Sequence, residues 1–422
     1  MSSVKTIKIR DPIYGFIELD DQEREIINTP CFQRLRRVRQ LALTDMVYPG
    51  ACHTRFEHSL GVMQMATDMF NSLVKNKENR ELLNLEEGNI KRLTKILRLA
   101  ALLHDIGHPP FSHAGEETMP SLPKKHPSFD TNSPKKKQKY EHEHYSREAI
   151  KYFFNDVIEN HPIGENYGIS VDQILLLLGD KSVKPQKNLM ILKELISGQV
   201  DADRADYLLR DSLHLGVNYG IYDRNMLVHC ITIGKSQSGA VELAIEEKGW
   251  HVAESLVIAR YQMFSQVYFH KVRRILDFHV GKALGDVLIA YGLKGGVFPP
   301  PTSKENLSKY FEFDDWLVFG ALKDGKGGEH GENILHRTLY KEIDWWDEFT
   351  TPDKDSKIKA HKKTYANKEY HIDENVSTKW YKLDKDIPIK CGKTGDTFPL
   401  STRSQIVKTI GQPTITRFYV SR

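Results

Sequence analysis

Cysteine is scarce: Cys31, Cys52, Cys230 and Cys391 are the only four in 422 residues, and no two form a CxxC pair. That spacing speaks against a zinc knuckle or a disulfide framework and suits a reducing cytoplasm. No apolar run approaches the ~18 residues needed to cross a bilayer, and no apolar N-terminal core resembles a signal peptide. Strong charge of one sign is missing too. Lys+Arg 60 against Asp+Glu 56 leaves a formal +4, a mild excess that fits an anionic substrate or occasional nucleic-acid contact without requiring either. No internal repeat is visible. The expectation is a cytoplasmic protein with no membrane partner, long enough to bury a large core in two or three domains.

Histidine is what the chain has in quantity, 18 residues, many in short clusters. Leu102 to His113 reads LLHDIGHPPFSH. An apolar helix ends there in an adjacent His104–Asp105 pair, two ligands that are hard to bury without a divalent cation. Pro109 and Pro110 break the helix and place His108 and His113 on a turn facing the same cavity. A lone histidine at a helix end usually caps carbonyls; a cluster of this density favours a metal site. His58, in the run His53-Thr54-Arg55-Phe56-Glu57-His58, and Asp203, in Asp201-Ala202-Asp203-Arg204-Ala205-Asp206-Tyr207, are further potential ligands. Two imidazoles and two carboxylates from three helices would make an open mononuclear site with room for water and substrate. Such mixed ligation suits Fe, Mn, Ni or Zn better than Mg and does not choose among them. The aspartates Asp201, Asp203, Asp206 and Asp211 also fit plain helix-start capping, so spacing alone does not select one.

Along the chain, alternation over Thr6–Leu19 predicts a small hairpin. Thr29-Pro30 reads as a helix start, and the arginine-dense Phe32–Leu43 segment as helical. Helical periodicity covers Thr54–Val74, Ile90–Asp105, His142–Ile158, Val171–Leu178, Leu189–Ile196 and Val200–Leu213, and a long stretch, one helix or two in succession, runs from Trp250 to Leu293. Residues 119–139, rich in Lys and Pro, read as an exposed, lid-like insertion. Val241–Ile245, Ile387–Ile389 and Thr414–Val420 read as strands. After Lys323 comes a Gly-rich linker, then a Lys-rich segment around Lys354–Lys363. The expected fold is mainly α, with a helical core over 1–320 and a smaller α+β lobe over 321–422 packed on it and involved in oligomerisation.

Five ordered motifs carry a resemblance: FQRLRRVRQL (Phe32–Leu41), HTRFEHSLGV (His53–Val62), HDIGHPPFSH (His104–His113), HEHYS (His142–Ser146) and DRADYLLRD (Asp203–Asp211). Together with the order His58, His104-Asp105, Asp203 they resemble the HD-domain metal-dependent phosphohydrolases. Within that group they look like the sterile-alpha-motif HD-domain dNTP triphosphohydrolases and their bacterial dNTPase relatives, from about Lys8 to Lys271 and more weakly beyond. A separate sterile-alpha-motif domain is not expected within these residues.

The resemblance implies hydrolysis of dNTP to deoxynucleoside and inorganic triphosphate. His58, His104, Asp105 and Asp203 would hold the catalytic metal, with Mg or Mn on the substrate phosphates. His113 would be the acid for the leaving 5′-oxygen, oriented by Glu116, while His108 and His142 would bind phosphate or assist proton transfer. Arg55, Arg204 and Arg260 fall where the family places phosphate contacts. Asp211, with Gln40, would take the 3′-hydroxyl, and Tyr207 and Leu41 would crowd a 2′-hydroxyl. Tyr268, His270 and Lys271 match the base side, where Phe264 replaces a histidine and leaves base preference open. Asn28, Gln33 and Arg36 stand at a possible allosteric nucleotide site, with Asn28 in place of the family's guanine-reading aspartate. The family's homotetramers imply a tetramer or dimer here. Two alternatives stay open: an HD phosphohydrolase acting on another nucleotide or a nucleic-acid end, and a nucleotide or single-strand sensor.

Overall fold

Alternating apolar residues at the N-terminus form an antiparallel hairpin, β1 (Ile7–Asp11) and β2 (Gly15–Leu19), in a register that sets Ile9 opposite Ile17. Asp11 stabilises the turn by accepting the Ile13 and Tyr14 N–H groups. The computed structural model describes residues 6–131, 138–347, 353–376, 381, 386–411 and 414–422. The Lys135–Lys137 run of the insertion lies outside them.

The body is helical. Helix α1 (Asp21–Asn28) opens with a reciprocal cap between Asp20 and Glu23, and α2 (Arg55–Lys75) with one between Thr54 and Glu57, each satisfying backbone N–H groups that a helix start leaves unpaired. Helix α3 (Glu87–Leu103) packs along α2. After the insertion come α4 (His142–Ala149), α5 (Val171–Leu177), α6 (Lys187–Ser197) and α7 (Ala202–Leu215). α7 also packs on α2, so α2, α3 and α7 bring their ends to one place. The main core is built from their inner faces, with Met63, Ala66, Met69, Ile96, Leu99, Leu103 and Leu208 all fully buried. Helix α8 (Trp250–Met263) adds Val252, Ala253, Leu256 and Val257 to that main core. A second core gathers around α9 (Lys271–Ala290), α10 (Asp315–Lys323) and α11 (Gly328–Leu335), with Leu284, Val287, Phe298 and Tyr310 among its buried residues.

Strands β3 (Ile231–Lys235), β4 (Val241–Glu246), β7 (Pro388–Lys390) and β8 (Thr397–Pro399) form one sheet in the order β3-β4-β7-β8, with β4 and β7 parallel. The other sheet places β9 (Thr414–Val420) between β5 (Lys341–Asp347) and β6 (Tyr370–Val376), all antiparallel. Helix α12 (Lys354–Thr364) lends Ile358 to the small core under that sheet. Mainly α, with a hairpin and sheets toward the C-terminus, is the fold expected from the sequence.

Two local expectations fail. Phe32–Leu43 is not one helix: a single turn covers Pro30–Gln33, a tighter turn follows over Arg34–Arg37, and Val38 is extended. The reason is hydrogen bonding with the stretch before α2, where Gln40 N–H donates to His53 O and Arg55 N–H to Val38 O. The Gly-rich stretch after Lys323 is not a free linker either, since Gly328 onward forms α11 against α9.

Candidate active site

His58 lies on the first turn of α2 and is fully buried. Its Nδ1 donates to Asp206 Oδ2 at 2.8 Å, and Arg210 grips both oxygens of Asp206 at 2.9 Å. His104, just past α3, donates Nδ1–H to Ala101 O at 2.8 Å. These bonds set both tautomers and leave each Nε2 free as a ligand. The two Nε2 atoms are buried, have no hydrogen-bond partner, and face Asp203 Oδ1 at 3.1 and 3.8 Å. Orphaned imidazole nitrogens beside a carboxylate fit a divalent cation of the N/O-ligated kind. Asp105 sits beside this triangle, with Oδ2 3.6 Å from His58 Nε2 and Oδ1 3.4 Å from His104 Nε2. Burial works against charge on Asp105, but His104 and Arg55 hold its carboxyl well below the usual range. For His58, burial opposes the proton while Asp203 and Asp206 hold it, giving a pKa of about 9. A cation would replace that proton.

A second group adjoins the first. His108 is buried with neither ring nitrogen hydrogen-bonded, and its ring stacks on that of His142 at 3.7 Å. Glu116 bridges His142 Nδ1 at 2.6 Å and His113 Nδ1 at 3.1 Å. Burial, then Arg55 and His142, push the His108 pKa down. His142 rises to about 9 because Glu143 and Glu116 outweigh burial. His108 is therefore neutral and His142 cationic near pH 7. The His113 side chain is 60% exposed, open to the cleft. That cleft, 1530 Å³ in volume, is lined by His104, Asp105, His113, Glu116, His142, Asp203 and Arg204 on one side and Arg274, Phe278 and His371 on the other.

The remaining sequence-selected residues fall elsewhere. Asp211 is buried, with Oδ1 against His53 Nε2 at 2.8 Å and Oδ2 accepting the Tyr268 hydroxyl at 2.6 Å. Tyr207 packs edge-on to Tyr268, and the Gln40 side-chain oxygen is buried without a partner. Leu41 and Arg260 are buried as well. None of these lines the large cleft. Arg55, expected at phosphate, is instead interior: it donates to Ser112 Oγ, Asp105 Oδ2 and Gln40 O. Arg204 does line the cleft, and its guanidinium bonds back to Gly198 O and Asp201. His270 caps α9 through the Val272 N–H, and Lys271 lies on the surface 3.4 Å from Glu342. Asn28 is exposed at the end of α1, while Gln33 accepts from Arg36, whose guanidinium sits 3.5 Å over the Phe56 ring. Sequence reasoning did not single out Asp206, Arg210 or His53. The Asp206–Arg210 spacing of one helical turn was the available signal for the first two.

Residues 55–211 match the model of the HD domain, and residues 223–412 that of the HD associated region. The chain carries an HD domain followed by an HD associated region, the class that the fold and the His/Asp group define. Among curated relatives, an uncharacterized protein of Methanocaldococcus jannaschii is 38% identical over 276 residues, 65% of this chain and 49% of that protein. Deoxynucleoside triphosphate triphosphohydrolase SAMHD1 of Homo sapiens is 27% identical over 369 residues, 81% of this chain and 55% of that protein. Its homolog in Dictyostelium discoideum is 30% identical over 67% of this chain and 50% of its own length. The chain thus spans about half the length of the curated relatives it matches. A crystal structure of a hypothetical protein from Aquifex aeolicus superposes with a TM-score of 0.76 at 27% identity, covering 99% of this chain and 97% of that one. No helix among the described residues is long and apolar enough to cross a membrane.

Proposed function

We propose that the protein hydrolyses deoxynucleoside triphosphates to deoxynucleoside and inorganic triphosphate. The observation that carries this reading is the pair of orphaned Nε2 atoms of His58 and His104 converging on Asp203, beside the His108–His113–Glu116–His142 group, at a cleft that His104, His113, Glu116, His142 and Asp203 line. His58, His104, Asp105 and Asp203 would hold a divalent cation, Fe, Mn, Ni or Zn. When bound, such a cation supplies a Lewis acid for the α-phosphate and lowers the pKa of water.

The chain's own residues do the rest. Cationic His142 and neutral His108 receive phosphate oxygens. His113, oriented by Glu116, gives a proton to the 5′-oxygen as water adds to the α-phosphorus and the bond to that oxygen breaks. Asp211 meets the 3′-hydroxyl, because each of its oxygens keeps a lone pair beyond the bonds to His53 and Tyr268. Arg55, expected at phosphate, also braces Asp105. Assembly into an oligomer, and nucleotide regulation near Asn28, belong to the same proposal and rest on the relatives. Chromatography of each dNTP after incubation with the protein and Mn²⁺ tests it. A deoxynucleoside product is expected, whereas nucleoside mono- or diphosphate alone would point to a different phosphohydrolase.

A further inference from the structure

The turn between His108 and His113 holds two consecutive non-glycine residues in left-handed backbone, Phe111 at φ +58° and Ser112 at φ +52°. Side chains with a Cβ rarely adopt that backbone, so the turn persists only because its surroundings hold it. Four hydrogen bonds do so. Phe111 N–H donates to Asp315 Oδ1 at 2.7 Å, and Arg39 N–H donates to Asp315 Oδ2 at 2.9 Å. Arg39 O accepts the Ser112 hydroxyl at 2.6 Å, and Ser112 Oγ accepts from Arg55 Nε at 2.9 Å. Asp315, Phe111, Ser112 and Arg39 therefore close a ring through one carboxylate.

That carboxylate is 1% exposed, and its two oxygens are spent on backbone N–H groups. A buried charge is costly unless it is well hydrogen-bonded, so its place at this turn calls for a role. Asp315 comes from the start of α10, where Asp314 caps the helix by accepting the Leu317 N–H and pairs with Arg37 at 2.5 Å. The carboxylate thus reaches the turn from a rigid helix end rather than from a loop.

We propose that Asp315 is a positioning residue: by holding Phe111 and Arg39 it sets the turn that presents His113 to Glu116 and the cleft. The kinetic side of this rests on His113 serving as the acid. The structural side does not.

Asp315→Asn tests both. The amide keeps one acceptor oxygen and turns an NH₂ toward the other backbone donor. Hydrogen exchange should speed up about tenfold for amides 108–118 while α2 and α3 keep their protection. Unchanged exchange, or faster exchange throughout, would overturn the proposal. In turnover with dNTP, at metal content equal to the parent's, kcat should fall about tenfold or more with KM nearly unchanged. In a His113→Ala background the same replacement should change kcat by less than about twofold, as for residues acting as one unit. An equal loss in both backgrounds would overturn it. Should the parent turn over no dNTP, the functional reading fails and the exchange measurement alone decides. Should Asp315→Asn not fold, Ser112→Ala opens the same ring from its other side and takes the same readouts.

Discussion

Replacing Gly61 by alanine adds one methyl group at the point where α2 and α7 meet. That Cβ would stand 2.0 Å from Asp206 Oδ1, 2.2 Å from Arg210 Nη2 and 2.7 Å from Asp206 Cγ. Neither neighbour has room to swing away. Arg210 is fully buried and holds Asp206 with two bonds and Asp11 with a third at 2.9 Å, while Asp206 Oδ2 accepts from His58 Nδ1 at 2.8 Å. Since carbon contacts settle near ~3.5 Å, the carboxylate oxygen 2.0 Å away must retreat by roughly 1.5 Å, enough to break the carboxylate's bond to His58. Helix propensity pulls the other way, because Gly→Ala inside a helix ordinarily stabilises by about 1 kcal/mol. Overpacking of a rigid core costs about 1–3 kcal/mol and wins. Loss of the residue that orients a ligand histidine should lower metal affinity about 10–100-fold. Thermal unfolding of the metal-free protein and Mn²⁺ titration calorimetry are the assays. A Gly61→Ala protein that melts at or above the parental temperature and binds Mn²⁺ with parental affinity would refute the reasoning.

Glu23 is buried and accepts from Lys95 Nζ at 2.9 Å and Arg98 Nε at 2.7 Å. Burial raises its pKa, but those cations lower it from 4.5 to about 2. Its stabilisation is complete above the unfolded value and disappears as pH falls through the folded one, a loss on the order of 3 kcal/mol between pH 5 and pH 2. Urea unfolding of the parent and Glu23→Gln across that window should show the difference closing toward pH 2; a constant difference would contradict it. His113→Ala should slow turnover about a hundredfold with metal still bound, and full activity would remove His113 from the acid role. With Asn28 at the α1 end, GTP should leave the rate of dATP hydrolysis nearly unchanged, and strong GTP dependence would show that the amide reads guanine after all.

The parts of the fold legible in the sequence were those governed by local periodicity. Phe56, Leu60, Met63 and Phe70 recur at helical spacing, and α2 follows; Ile7, Ile9 and Ile17 alternate, and the hairpin follows. His58, His104 and Asp203 were found through their order along the chain, and folding brings them together because α2, α3 and α7 share a core. What local pattern does not carry is pairing at a distance. Arg34, one arginine of a segment read simply as helical, is buried and donates to Phe313 O and His108 O. Asp315 stands 204 residues from Phe111, and nothing near either residue announces the bond. β9 is the middle strand of its sheet although it comes last in the chain. The bonds of Arg55 were hidden for the same reason, since its partners Ser112 and Asp105 arrive from a different segment.

The central claim is attack of water at the α-phosphorus of a dNTP with departure of the 5′-oxygen. Hydrolysis in ¹⁸O-water followed by mass spectrometry of both products tests it most directly. Inorganic triphosphate should carry the label and the deoxynucleoside none; label in the deoxynucleoside, or no triphosphate from any dNTP by metal-loaded protein, would rule this chemistry out.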